Sequence, residues 1–163
     1  MLDRKEHEKI MGQILFDIST DDDLRGMLGF KGGTACYFFH NLPRFSVDLD
    51  FNLTPDAKTD VVMKKIHEIL SSYGEIRNER KKYFTFFFLL SYRKHAHQLK
   101  VEISTRLYPE DKYEVRSYLG LPVLILQKPF ITAHKFAAIT GRKKMVNRDL
   151  FDAHYFLKNN WPI

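Results

Sequence analysis

An α+β fold with a small mixed sheet flanked by helices is predicted from three features of the sequence. Two stretches, 45–53 and 98–105, alternate apolar and polar residues as half-buried strands do. Both ends of the chain carry apolar residues at helical spacing, and no repeat or low-complexity segment interrupts them. At 163 residues the chain has the length of one domain, 1–163, with a core over about 25–126 and a C-terminal helical part over about 129–160.

Over 3–18, Ile10, Met11, Ile14, Leu15 and Ile18 share one helical face, so an amphipathic helix opens the chain. The acidic triplet Asp21, Asp22, Asp23 breaks it. Gly32-Gly33 then precedes a short helix over 35–40, which Pro43 helps to end by disfavouring helical geometry at Leu42. The strand over 45–53 turns Phe45, Val47, Leu49, Phe51 and Leu53 to one face and Ser46, Asp48, Asp50 and Asn52 to the other. Val62, Ile66, Ile69, Leu70 and Tyr73 mark a second amphipathic helix over 56–73. The aromatic and aliphatic run at 83–92 predicts a strand buried on both faces. Another strand over 98–105 opposes Leu99, Val101 and Ile103 to Lys100, Glu102 and Ser104, a short one follows at 123–126, and two helices close the chain over 129–141 and 147–159.

Hydrophobic residues at 44% and charged residues at 28% exclude a disordered chain, and the densest apolar stretch, 84–90, is far shorter than the ~20 residues of a membrane helix. Residues 1–8 are charged rather than apolar, and Cys36 is the single cysteine. The expectation is a cytoplasmic protein without membrane association or a disulfide. A net charge of +6 favours polyanionic partners, RNA or triphosphates among them.

The chemistry is concentrated in Gly32-Gly33-Thr34, a short helix, and Ser46-x-Asp48-x-Asp50. Each part alone is commonly structural: Gly-Gly as a turn, Asp-x-Asp as a solvated strand face. Together they have a chemical logic. Residues two apart on a strand share a face, so the two carboxylates stand side by side, and their repulsion is relieved by a divalent cation. Magnesium takes a few carboxylate oxygens and fills its remaining positions with water and substrate phosphates. The glycines admit a phosphate close to the backbone, the helix start offers free N–H groups, and Thr34 and Ser46 add hydroxyls. Glu102, on the polar face of its own strand, converges with the pair if the two strands are neighbours; otherwise it pairs with Lys100 at the surface. His95, His97 and Lys94 fit a hairpin loop better than a metal or RNA site. Arg80-Lys81-Lys82, Arg93-Lys94 and Arg142-Lys143-Lys144 could together follow an RNA backbone.

These residues resemble the nucleotidyltransferase-like toxins of the AbiEii/AbiGii group, related to the MenT toxins. Lys31-Gly32-Gly33-Thr34-Ala35 and Arg44-Phe45-Ser46-Val47-Asp48-Leu49-Asp50-Phe51 are similar to the group's N-terminal signature. Lys135-Phe136-Ala137-Ala138 and Arg148-Asp149-Leu150-Phe151-Asp152 resemble its C-terminal one, so the likeness spans about 25–158. It implies a polymerase-β-like nucleotidyltransferase fold and a toxin of a toxin–antitoxin or phage-defence (abortive infection) system. The implied activity transfers a nucleotide from a nucleoside triphosphate to an acceptor, with RNA, and tRNA in particular, as the best candidate. The implied cofactor is Mg2+ (or Mn2+) and the implied protein partner a cognate antitoxin. Asp48 and Asp50 would be metal ligands, Lys135 a triphosphate contact, and Asp149 a further catalytic acid or base. The general fold places a third carboxylate where Glu102 stands, whereas the toxin pattern stresses Asp149; both stay candidates. Thr34 stands where the wider superfamily usually has Ser, and the chain is short for the group. The alternative is a non-catalytic module that keeps the fold and binds nucleotide, RNA or a partner protein. Without the resemblance, Lys135 reads equally as a solvated lysine and Asp149 as a charge favourable to the start of its helix.

Overall fold

The computed structural model describes residues 2–93, 97–142, 144 and 146–162. Lys94, His95 and Lys143, weighed above for RNA or metal binding, lie outside the described residues. Helix α1 (Arg4–Thr20) starts on Asp3, whose carboxylate accepts the backbone N–H groups of Lys5 and Glu6. Then come β1 (Leu28–Lys31), α2 (Gly32–His40), β2 (Asp48–Leu53), α3 (Thr59–Tyr73), β3 (Glu75–Lys82), β4 (Thr85–Ser91), β5 (Leu99–Ser104), β6 (Tyr113–Tyr118), β7 (Leu121–Leu126), α4 (Lys128–Gly141) and α5 (Asn147–Lys158).

Among the described residues the strands form one seven-stranded sheet in the order β3-β4-β5-β2-β1-β7-β6. It is mixed, because β2–β5 and β1–β7 are parallel and the other neighbours antiparallel. It is also larger than the small sheet predicted, and the additions have physical reasons. β3 and β6 are the two edges. Edge strands need no apolar face and are protected by charge, so Glu75–Lys82 carries no alternation to read. β1 is four residues long, contains Gly29, and runs straight into the glycine pair. β4 differs from its expectation as well: Phe86, Phe88 and Leu90 are buried, whereas Phe87 and Leu89 on the other face are only half covered.

The main core lies under one face of the sheet. Met11, Ile14, Leu15 and Ile18 of α1 and Val62, Ile66 and Leu70 of α3 pack there against Leu49, Phe51, Phe88, Val101 and Ile103. A second cluster of Cys36, Leu42, Leu126, Ile131, Phe156 and Trp161 ties the closing helices to α2 and to the end of β7, with Phe156 and Trp161 stacked at 4.2 Å. Burial pushes the Cys36 thiol up to about 12, so it is a packing residue. Among the described residues no helix is long and apolar enough to cross a membrane.

Candidate active site

The turn from β1 into α2 sets one wall of the site. Gly32 has φ +77°, and a Cβ there would stand 2.5 Å from Oδ2 of Asp50, so both the backbone and the space require glycine. At Gly33 a Cβ would meet Arg44 Nη2 at 2.7 Å and Ser46 Oγ at 2.8 Å. Lys31 gives no side-chain cap, which leaves the first N–H groups of α2 without one. Thr34 is a correction to the sequence reading. It is fully buried, and its hydroxyl donates to the Asp48 carbonyl, so it fastens α2 to β2 instead of facing a ligand.

Strand register assembles the carboxylates. Asp50 lies beside Glu102 across the parallel β2–β5 pair and beside Lys31 across β1–β2, and Asp48 lies beside Lys100. Paired residues project from the same face, so Asp48, Asp50 and Glu102 line one cleft of about 260 Å³ together with Gly32, Gly33 and Ser46. Lys100 Nζ is 3.1 Å from Asp48 Oδ2, and Arg148 approaches the same oxygen at 4.0 Å. Asp50 carries the strain of the cluster: burial first, then the charges of Asp48 and Glu102, push its carboxyl up to about 6. Burial lowers the Lys31 ammonium against the pull of Asp50. Among the described residues no three His, Cys, Asp or Glu side chains are gathered tightly enough to form a metal centre by themselves.

The opposite wall comes from α4 and α5. Lys135 Nζ donates to Asp149 Oδ1 and lies 2.9 Å from Asp152 Oδ2. Arg142 bonds the other oxygen of Asp149, and Arg44 clasps Asp152. Burial alone would raise the Asp149 carboxyl, but Lys135, Arg142 and Arg148 outweigh it and hold the group below the usual carboxylate range. Lys135 and Asp149 therefore do line the same cleft as the strand carboxylates. They do so as an ion pair on the cationic side.

The sequence profile of the AbiEii nucleotidyl transferase toxins, a type IV toxin–antitoxin family, matches residues 13–163. The chain belongs to this family. It is thus a nucleotidyltransferase of the AbiEii type. Among solved structures it is similar to JHP933 from Helicobacter pylori, with 26% identity, a TM-score of 0.69, and coverage of 97% of this chain and 68% of that one. The fold is shared with MenT4, the nucleotidyltransferase toxin Rv2826c of Mycobacterium tuberculosis H37Rv, at 20% identity and a TM-score of 0.66. That alignment covers 96% of this chain and 59% of MenT4. No curated protein matches the chain in sequence at a significant level.

Several cleft residues of this AbiEii-family chain are not among the site residues proposed from the sequence. Lys100 is visible in principle, two positions before Glu102 on the same face. Lys31 and Arg148 belong to the two signatures and Arg142 opens a basic group, but only folding shows that all three line the cleft. His134 also lines the cleft, and its Nε2 is 3.0 Å from Asp111 Oδ1. Asn52 Nδ2 donates to the other Asp111 oxygen. No spacing rule links those three positions, so the sequence carries no signal for that network.

Proposed function

We propose that this chain moves a nucleotide from a nucleoside triphosphate to a hydroxyl of an RNA acceptor, with tRNA as the best single candidate. We further propose that it acts in the cytoplasm as a toxin controlled by a cognate antitoxin. The observation that carries this reading is the polarity of the cleft. Asp48, Asp50 and Glu102 occupy its strand side, and Lys135, Arg142 and Arg148 face them from the helices. A triphosphate needs both: cations around its phosphates, and carboxylates where a divalent ion and the attacking hydroxyl meet.

The donor set fits a divalent cation. A carboxyl pushed up to about 6 by burial, and further by the charges of Asp48 and Glu102, is relieved by positive charge, and an open set of oxygens suits magnesium better than a closed cage does. Asp48 and Asp50, with Glu102 beside them, would hold Mg2+ or Mn2+, which when bound supplies positive charge to the reacting phosphate. In the transfer the acceptor oxygen bonds to the α-phosphorus while the bond to pyrophosphate breaks. The hydroxyl proton passes to a strand carboxylate, Asp50 or Glu102. Lys135, held in place by Asp149 and Asp152, receives the triphosphate with Arg142 and Arg148. Ser46 and the free N–H groups at Gly32 and Gly33 flank it. The register of Glu102 beside Asp50 supports Glu102 as the third carboxylate, and the ion pairs of Asp149 support a role in positioning Lys135.

Incubation with labelled triphosphates, magnesium and total RNA tests the reading. Label is expected in RNA with wild type and magnesium, and lost on chelation or with Asp50→Asn. Triphosphate binding without any transfer would instead establish the non-catalytic module.

A further inference from the structure

The strand register continues past the carboxylates. Lys31, Asp50, Glu102, Phe87 and Arg80 form a straight row across β1, β2, β5, β4 and β3. The next row begins with Lys82 and Thr85 and reaches Ser104 and Asn52. Beyond Glu102 the same sheet face therefore leads from the catalytic cleft to a basic edge.

A second hollow of about 250 Å³ opens there, lined by Phe84, Thr85, Ser104, Arg106 and Tyr108, and it shares Lys31, Asp50 and Glu102 with the cleft. Its rim is aromatic and exposed: Phe84 and Tyr108 are each 41% accessible, and Tyr83 is 89% accessible. Arg106 lies over Phe84 of this rim at 4.6 Å, and in the adjoining row Lys82 lies over the half-buried Phe87 at 4.6 Å. Among the described residues Arg80, Lys81, Lys82 and Arg106 make no ion pair with an acidic side chain. Cation–π contacts at exposed sites contribute only about 0.5–1 kcal/mol each, little return for keeping rings and unpaired charges at the surface. A single-stranded nucleic acid uses both, because its bases stack on the rings and its phosphates meet the cations.

We propose that this hollow and the β3–β4 edge bind the single-stranded 3′ end of the acceptor RNA. A base stacks on Phe84, between Arg106 and Tyr108, and the phosphates run along Arg80 and Lys82. This path directs the terminal hydroxyl past Glu102 to Asp50. The triphosphate keeps the separate, cationic side of the cleft. The inference rests on the nucleotidyl-transfer reading for the meaning of that path, but its binding test does not need catalysis.

The test is fluorescence anisotropy of a labelled eight-nucleotide single-stranded RNA of mixed sequence, without triphosphate. Binding of a fluorescent ATP analogue is measured in parallel. Wild type should bind the RNA, and Phe84→Ala should weaken it on the order of tenfold, the usual worth of one stacked base. Phe84→Trp should restore binding. The pair Arg80→Gln and Lys82→Gln should flatten the salt dependence. All of these surface variants should bind the ATP analogue as wild type does. Unchanged RNA affinity in Phe84→Ala and Arg106→Gln, or no RNA binding by wild type, overturns the proposal; the latter would leave the surface to a protein partner. Loss of RNA binding in the variants while no chain transfers label would support this surface and sink the catalytic reading, so the two failures are distinct.

Discussion

Arg44 and Asp152, 108 positions apart in sequence, form a two-pronged ion pair: Arg44 Nε to Oδ1 at 2.5 Å and Nη2 to Oδ2 at 2.6 Å. The carboxylate side chain has 0% exposure, and Lys135 Nζ completes its surroundings at 2.9 Å. One contact thus fixes the segment before β2 to α5 and holds the proposed phosphate-binding lysine. A buried charge pair of this kind adds little net stability as a pair, yet removing one member strands the other.

Asp152→Ala should therefore cost about 3–5 kcal/mol in urea unfolding. Asp149→Asn should cost less, because Arg142, its partner on one oxygen, is 44% exposed and can turn to water. The sequence alone ranks the two by activity instead: Asp152 should tolerate Asn better than Asp149 does if only one of the pair is catalytic. Equal losses, or a larger one for Asp149→Asn, would show that the clasp does not carry the stability assigned to it.

Gly32 offers a second test. Ala at φ +77° costs about 1–2 kcal/mol, and its Cβ would press on the Asp50 carboxylate. Gly32→Ala should lose stability and activity together. In the background of Asp50→Ala part of the stability loss should disappear, because the collision with Oδ2 is gone while the tight contact with Cβ of residue 50 at 3.0 Å and the backbone strain remain. Strictly additive losses would mean that the glycine serves the backbone alone.

The site was legible where alternation was legible. Asp48, Asp50 and Glu102 could be placed on two polar strand faces because Leu49, Phe51, Val101 and Ile103 announce the buried sides. That the strands pair in parallel, with Asp50 beside Glu102, is a long-range fact that no local pattern encodes. Thr34 was misplaced because a hydroxyl after two glycines suits a phosphate and a backbone carbonyl equally; the choice depends on where β2 packs. The edges β3 and β6 were illegible because edge strands are selected for charge and exposure, not for alternation.

His40 should make the fold sensitive to acid. The ring is buried against Trp161 at 5.0 Å with Nε2 unpartnered among the described residues, and burial, aided by Lys128 and Arg116, lowers its pKa to about 4. Between pH 6.5 and 4 the unfolded chain binds a proton that the folded chain refuses, so stability falls as pH drops through that window. The contribution is roughly 2–3 kcal/mol. His40→Gln should flatten this part of the stability profile, and an unchanged slope would assign the acid sensitivity to other groups.

Asp50 distinguishes a catalytic from a structural carboxylate more sharply than Asp48 does. Asp48 has Lys100 at 3.1 Å, so Asp48→Asn should leave stability within about 1 kcal/mol of wild type. Asp50 has a folded pKa raised from 3.8 to about 6. The folded state then holds a proton that the unfolded chain has released, and stability declines as pH rises through that interval. Above it the full penalty of the buried charge is present. Asp50→Asn should thus stabilise the metal-free protein at pH 7.5, by roughly 1–3 kcal/mol. Magnesium should raise the melting temperature of wild type by binding the folded state, and should do so far less for Asp50→Asn. Both variants should lose label transfer to RNA. Thermal unfolding with and without magnesium, measured beside transfer for the three proteins, checks each arm. An Asp50→Asn protein that melts earlier than wild type would make the carboxylate structural. One that magnesium stabilises as fully as wild type would place the cation elsewhere.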